Sequence, residues 1–494
     1  MPTETVIFIG VAIYMVMMIG VGLYASKKSS SVTDFMVAGR SLPLPICTMT
    51  VMATWFGGAM MLGGAGAAYE EGMYGVIEDP WGGALALILI GLFFARIFRR
   101  LKIVTVVDFM HQRFGAVAAG GITVTTLVSN VMWMAGMLVA FGTIFDSLTN
   151  IPVEVGIVAG AIIVFIYTAV GGMWAVAITD FIQMCVIIVG LIVLAIVVWF
   201  QVGGWSEISP HLSENTFQMF PTEHTRAEWL DYLRAWTIIG LVDIQAQTLF
   251  QRVSAAKSER VAQNAFYLGG IGYLGFAMIP IMLGIVGSVV MPGLDNPEFV
   301  IPEMAKAYLH PVAIAILVGA MLSAIMSSAD SCLLACGSVA SRNILPVIVK
   351  EPSARLSLLV ARWSIPFFGL IGVLIAIKVQ VVFDLMVDAN ILGLACIIVP
   401  FILGVWWQKA NRTGALAGMF SGLAAWMTTN TVAPHLASDF IGLATSLVVM
   451  VVVTLATQTF DPPRPLVDSD GNPVDTRNRL GTLPLFSRKA QDAA

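Results

Sequence analysis

Residues 322–344 read LSAIMSSADSCLLACGSVASRNI, a run apolar enough to cross a bilayer that nevertheless carries Ser327, Ser328, Asp330 and Ser331. At 1.5 Å rise per residue, these four lie within about one and a half turns of a helix. Hydrocarbon disfavours such groups, so an intramembrane carboxylate ringed by hydroxyls marks an ion or proton site. The alternative is structural: each hydroxyl bonds back to the carbonyl four residues earlier, and the aspartate pairs with a base. No Lys or Arg is expected at membrane depth in the neighbouring segments, which favours the ion-binding reading.

Two other apolar stretches look interrupted. Residues 49–69, MTVMATWFGGAMMLGGAGAAY, hold Gly57, Gly58, Gly63, Gly64 and Gly66 in mid-segment. A glycine costs about 1 kcal/mol in a helix interior, so the cluster reads as unwinding or close backbone approach, with helix packing alone as the competing explanation. Residues 228–251 carry Asp243 among Gln245, Gln247 and Thr248. Unwound backbone is tolerated at membrane depth only where it lines a cavity. Broken spans at corresponding places in two halves point to inverted repeats around a midplane binding site. Trp55 and Trp133 fall mid-span, away from the interfaces where membrane tryptophans usually anchor.

The elements that must position these residues are membrane helices. Hydrophobic residues make up 58% of the 494 and charged ones 11%, with a mean hydropathy of +0.88, far outside the globular range. Apolar windows recur at about 4–25, 43–69, 75–97, 119–147, 151–171, 176–201, 228–251, 263–291, 311–342, 356–378, 381–407, 413–432 and 438–457, thirteen in all. Each is long enough for a core about 30 Å thick. The first is too long for a signal peptide, and its charges, Lys27 and Lys28, follow the apolar run.

With the N-terminus outside, Lys and Arg collect in the cytoplasmic segments: Lys27, Lys28 and Arg40, then 96–113, 252–260, 342–355 and 409–412. The alternation follows the positive-inside rule across all thirteen spans and predicts a multi-pass plasma (inner) membrane protein with a cytoplasmic C-terminus. Residues 1–457 then form the transporter domain and 458–494 a polar, turn-rich tail whose composition predicts disorder. The cysteines Cys47, Cys185, Cys332, Cys336 and Cys396 show neither metal-ligand spacing nor a disulfide framework.

Several stretches together carry a family resemblance: ATWFGG at 53–58, IVTVVDFMHQRFG at 103–115, MWMAG at 132–136, YTAVGGMWAVAITDFIQ at 167–183, LFQRVSAA at 249–256, SAIMSSADSCLL at 323–334 and ARWSIPFFG at 361–369. Over about residues 5–430 the chain resembles the sodium:solute symporter family, and within it most nearly the high-affinity choline transporter branch. The resemblance implies an all-α fold of the LeuT type: inverted repeats of five helices each, about 43–201 and 228–407, with one extra N-terminal and two C-terminal helices. It further implies a sodium site made of the carbonyls of Ala53, Phe56 and Ala324 and the hydroxyls of Ser327 and Ser328, an oxygen cage of the kind hard cations prefer.

Some relatives have a further sodium site, which would gather Asp180, Ser327, Asp330 and Ser331. Asp180 taken alone could instead cap or pair structurally, but with the seryl cluster nearby ligation or relay is the better reading. Members of the choline branch cage a quaternary ammonium with aromatic faces. Trp55 and Trp133 match two of those positions, whereas Ala246 and Gly83 stand where the branch has Trp and Tyr. Gly58 lies at the break, and Asp243 replaces a glycine of the branch in the unwound segment. Glu78, Asp79 and Trp81 are expected at the outer mouth of a neighbouring span.

The expected function is sodium-coupled import of a small organic solute by alternating access, with choline or another ammonium or zwitterionic compound as substrate. Sodium is the coupling ion and no cofactor is implied. Alternatives are a proton- or sodium-coupled symporter for an amino acid or small carboxylate, and a transporter-like solute sensor. An enzyme is disfavoured: there is no HExxH, GxSxG or P-loop, and the five histidines fall in or beside loops. The basic residues are topological and give no basis for nucleic-acid binding. The expected partners are the solute, sodium and the bilayer, with the oligomeric state left open.

Overall fold

The computed structural model describes residues 3–149, 151–379 and 390–476, which are almost wholly helical. Helix α1 spans Thr3–Ala25. The glycine-rich segment that follows is a bent pair, α2 (Leu44–Trp55) and α3 (Ala59–Glu71), meeting at 61°. Helix α4 covers Tyr74–Phe93, α5 Val106–Phe114, α6 Ala116–Thr149 and α7 Val153–Val202. The second half opens with another interrupted segment, α8 (Arg226–Ile238) and α9 (Gln247–Ala255), followed by α10 (Glu259–Val290). Helices α11 (Pro311–Val339), α12 (Ala354–Lys378), α13 (Ile398–Trp406), α14 (Arg412–Val432) and α15 (Ser438–Thr457) complete the chain.

Eight of the described helices are long and apolar enough to cross a membrane alone, and nine spans result if the bent pair is one. Dividing α7 brings the number to ten among the described residues, and the windows 228–251, 381–407 and 413–432 make up the rest of the thirteen expected from hydropathy. A straight helix of the 50 residues of α7 would measure about 75 Å, more than twice the hydrocarbon thickness. It turns at Gly172, whose φ of 56° and ψ of −147° belong to glycine. A Cβ there would lie 2.4 Å from the Phe35 carbonyl oxygen. The two windows 151–171 and 176–201 are therefore the two arms of α7. The window 381–407 is described only from residue 390, and residues 380–389 lie outside the described residues.

Helix α11 is the most deeply buried of the spanning helices, packed between α1, α6, α7 and α12. That burial explains why its small and hydroxylated face has no lipid-exposed stripe. Helices α14 and α15 pair with each other at the edge.

The tail departs from its expected disorder over 458–476. Asp461 Oδ2 accepts from the backbone N–H and hydroxyl of Thr413 at the start of α14, both at 2.7 Å. The backbone N–H of Ser469 donates to the Leu101 carbonyl, and Gln112 Nε2 to that of Val467. Lys102 Nζ meets Asp470 at 2.6 Å and Asp468 at 3.5 Å. The hydrogen bond to Asp470 raises the Lys102 amine above its usual value. Backbone N–H donation, first from Asn472, holds Asp468 below the usual carboxylate range. Residues 477–494 lie outside the described residues.

Candidate functional site

The break between α2 and α3 faces the hydroxyls of α11. Ser327 Oγ donates to the Ala53 carbonyl at 3.0 Å and lies 2.9 Å from that of Ala324. Ser328 Oγ reaches the Ala324 carbonyl at 3.4 Å and that of Thr54 at 3.5 Å. Gly57 makes the approach possible, since a Cβ there would sit 2.6 Å from Ser328 Oγ. Four of the five predicted oxygen donors thus converge, with Thr54 as an unforeseen neighbour. The fifth residue, Phe56, occupies the break itself at φ −73° and ψ 69°, its ring buried edge-on against Tyr273.

A cavity of about 520 Å³ borders these oxygens, touching Gly57, Ser328 and Ser331. Trp55, Trp133, Asp243 and Ala246 line it, as the sequence predicted. Gly58 and Gly83 do not. Gly58 packs instead toward Ile325 and Ala140, where a Cβ would be 2.8 Å from the isoleucine. Gly83 lies behind the wall: a Cβ there would be 2.9 Å from Asp79 Oδ1 and 3.0 Å from the Trp55 ring. Among the described residues the lining includes Glu70, Glu78, Asp79, Asp243 and Glu298, and no Lys, Arg or His.

Asp79 was expected at an outer mouth. It faces the cavity, and the Tyr273 hydroxyl donates to its Oδ1 at 2.5 Å. Tyr273 comes from α10 and packs on Trp55 at 6.1 Å between ring centroids. For Asp79 the sequence signal was only that of a mouth residue, and Tyr273 had none. Asp79 sits beside Pro80 at the edge of an apolar window, which reads as a loop, and Tyr273 is one aromatic among many.

The second expected site holds a base that was assigned to a cytoplasmic loop. Arg252, near the end of α9, is fully buried with Asp180, Asp330 and Ser331. Its Nη2 donates to Ser331 Oγ at 2.5 Å and lies 3.5 Å from Asp180 Oδ2, while Nη1 donates to the Thr248 carbonyl at 3.1 Å. Thr50 donates to Asp180, the Tyr167 hydroxyl to Asp330 Oδ2 at 2.7 Å, and Ser331 Oγ lies 3.2 Å from Asp330 Oδ1. Ser327 points away, to the first oxygen cluster. The absence of a base at this depth, on which the simple ion-binding reading rested, is thus corrected. The signal was available in LFQRVSAA, an arginine with apolar residues on both sides. Two carboxylates and one guanidinium leave the cluster with a formal charge of −2 + 1 = −1.

A family model described as the sodium:solute symporter family matches residues 35–422. The chain belongs to that family. It is 29% identical over 446 residues to a high affinity choline transporter 1 of Homo sapiens, covering 84% of this chain and 75% of that one. It is 24% identical to the osmoregulated proline transporter OpuE of Bacillus subtilis, over 92% of this chain and 95% of that one. Among solved structures, a Na+-coupled sialic acid symporter superposes with a TM-score of 0.82 at 20% identity, covering 91% of this chain and 97% of the other. A transporter of the nucleobase-cation-symport-1 family superposes with a TM-score of 0.62 at 14% identity, covering 91% and 98%. The fold is therefore of the LeuT type, as expected, and the chain is a multi-pass membrane symporter that couples a small solute to sodium.

Proposed function

We propose that the chain imports a small organic ammonium compound, choline or a relative of it, together with sodium. One observation carries this reading: a cavity lined by Trp55, Trp133 and five carboxylates, with no basic residue among the described residues, meets at Ser328 the oxygen cluster that Ser328 forms with Ala53, Ala324 and Ser327. Aromatic faces and acids favour a cation. The neighbouring hydroxyls and carbonyls suit a hard monovalent ion, which is the role we assign to them together with the carbonyl of Phe56. Asp243 is the acid offered to the substrate, and Ala246 leaves room where the choline branch has a tryptophan.

The buried cluster of Asp180, Asp330, Ser331 and Arg252 carries one negative charge in excess and takes a second cation, sodium or a proton. One charge moved through 100 mV is worth about 2.3 kcal/mol, so two sodium ions supply roughly 4.6 kcal/mol for uphill uptake. The chain would sit with its N-terminus outside. In support, Arg40, Arg99, Arg100, Lys102 and Arg342 gather at one end of the molecule.

The proline relative supports a second reading, a zwitterionic amino acid. Uptake into proteoliposomes of choline, betaine, carnitine, proline and a small carboxylate, each with sodium or potassium, separates the two. Sodium-dependent uptake of choline or another compound that is only cationic supports the proposal. Uptake of proline alone replaces it, and equal uptake in both salts removes sodium coupling.

A further inference from the structure

The cavity keeps two of the aromatic walls expected for a quaternary ammonium, Trp55 and Trp133, has Ala246 and Gly83 at the other two positions, and adds the acids Asp79 and Asp243 to its lining. At Gly83 the missing side chain leaves the Asp79 carboxylate and the Trp55 ring side by side, each about 3 Å from where a Cβ would stand. An aromatic residue at position 83 would displace both. Asp79 is held there by Tyr273, whose hydroxyl donates to Oδ1 at 2.5 Å while its ring packs on both Trp55 and Phe56. The carboxylate is therefore part of a braced wall.

A carboxylate offers about four lone-pair positions. Tyr273 takes one, and among the described residues no other side chain donates to it and no base lines the cavity. The remaining lone pairs of Asp79 face the substrate. A quaternary ammonium cannot satisfy them, because its charge is covered by four carbon substituents and it has no N–H. A primary, secondary or tertiary ammonium can, through a charge-assisted hydrogen bond roughly twice as strong as a neutral one. A buried acceptor left unpaired is costly, which turns a missing donor into discrimination.

We propose that Asp79, positioned by Tyr273, is the specificity-determining residue of the substrate cavity and selects ammonium compounds that carry N–H over quaternary ones. The inference rests on the reading of this cavity as an ammonium site.

The test is equilibrium binding to the full-length protein in sodium-containing nanodiscs. The probes are choline, N,N-dimethylethanolamine, N-methylethanolamine and ethanolamine, which share one hydroxyethyl arm and differ in N-methylation. At least one N–H-bearing member should bind roughly tenfold more tightly than choline. Asp79→Asn should abolish that preference while the sodium-induced rise in melting temperature persists. Tyr273→Phe, which removes only the hydroxyl, should reduce the preference in part, and it serves as the second variant should Asp79→Asn fail to fold. If choline binds as tightly as the other three, or the preference survives both variants, the inference is overturned while the ammonium site stands. If none of the four binds and proline does, the site reading fails and the role of Asp79 with it.

Discussion

Two groups of acids lie at membrane depth in this chain, and they are treated in opposite ways. Asp180 and Asp330 are fully buried, paired with Arg252 and bonded to Thr50, Tyr167 and Ser331. Asp79 and Asp243 face a cavity without a base, and of these two Asp79 has the Tyr273 hydroxyl. The protein itself gives the first group one counter-charge, Arg252, for its two acids. The second leaves its counter-charge to whatever enters. An acid inside a membrane protein therefore announces a cation, and its partners decide whether that cation is a side chain or cargo.

The contrast breaks most visibly at Arg252. Arg252→Ala would leave two buried carboxylates without their base, and removing one partner of a buried pair costs about 3–5 kcal/mol. We expect a large loss of folded protein in detergent, read by size-exclusion chromatography, and partial recovery when Asp180→Asn is added. Normal yield of the single variant would mean that the cluster is not held by its charge.

Asp243→Asn should leave folding intact and weaken an ammonium substrate by about 1.5–3 kcal/mol, roughly ten- to a hundredfold in Kd. Trp55→Ala should weaken it as well. A substrate indifferent to both does not use this wall. Asp330→Asn brings the buried cluster to formal neutrality, so the sodium Hill slope of uptake should fall or its pH dependence should shift. If both are unchanged, the cluster plays no part in coupling. Ser328→Ala removes one oxygen from the candidate sodium cage, and the sodium concentration for half-maximal uptake should rise roughly fivefold, about 1 kcal/mol. An unchanged value takes Ser328 out of the cage.

The smallest effect concerns a third kind of acid, paired at the surface. Because backbone N–H donation, first from Asn472, depresses Asp468, the turn at 468–472 and its contact with Lys102 are kept above the ordinary carboxylate value and lost as pH falls through the lowered one. Lys102 is raised, so its share persists below the ordinary lysine value and is lost at higher pH still. Limited proteolysis of 458–476 should therefore be flat across neutral pH and increase below about pH 4. An increase already near pH 7 would show that the tail is held by something else.

How much of this was legible in the sequence follows from the range of the contacts. Ser327, Ser328, Asp330 and Ser331 share one helix, so their register could be read from spacing alone, and the glycine cluster marked the bend they face. Trp55, Trp133, Asp243 and Ala246 were legible through resemblance, since both broken segments carry recognisable motifs. Arg252 was not, because hydropathy counts its position along the chain and not its depth; the interruption before α9 carries the arginine inward between α2 and α11. Asp79 was misplaced because only the packing of α10 against α4 supplies its partner. Gly83 was matched to an aromatic wall by alignment, but its role is the space it leaves. The boundary at Gly172 lay between two apolar windows that hydropathy already separated, whereas the tail's partners, Leu101, Lys102, Gln112 and Thr413, are far from it along the chain, which composition cannot foresee.

Of the five cysteines, all free, Cys332 alone lines the cavity among the described residues, one position beyond Ser331 on α11. The wild-type chain thus carries its own occupancy sensor. A small ammonium-bearing thiosulfonate forms a mixed disulfide with a thiol and expels a sulfinate. Such a reagent should be drawn to the same acids as the substrate and tag this one position. Protection by solute, followed as the mass of the intact protein, would then report binding and the opening of the cavity without a label having to be engineered.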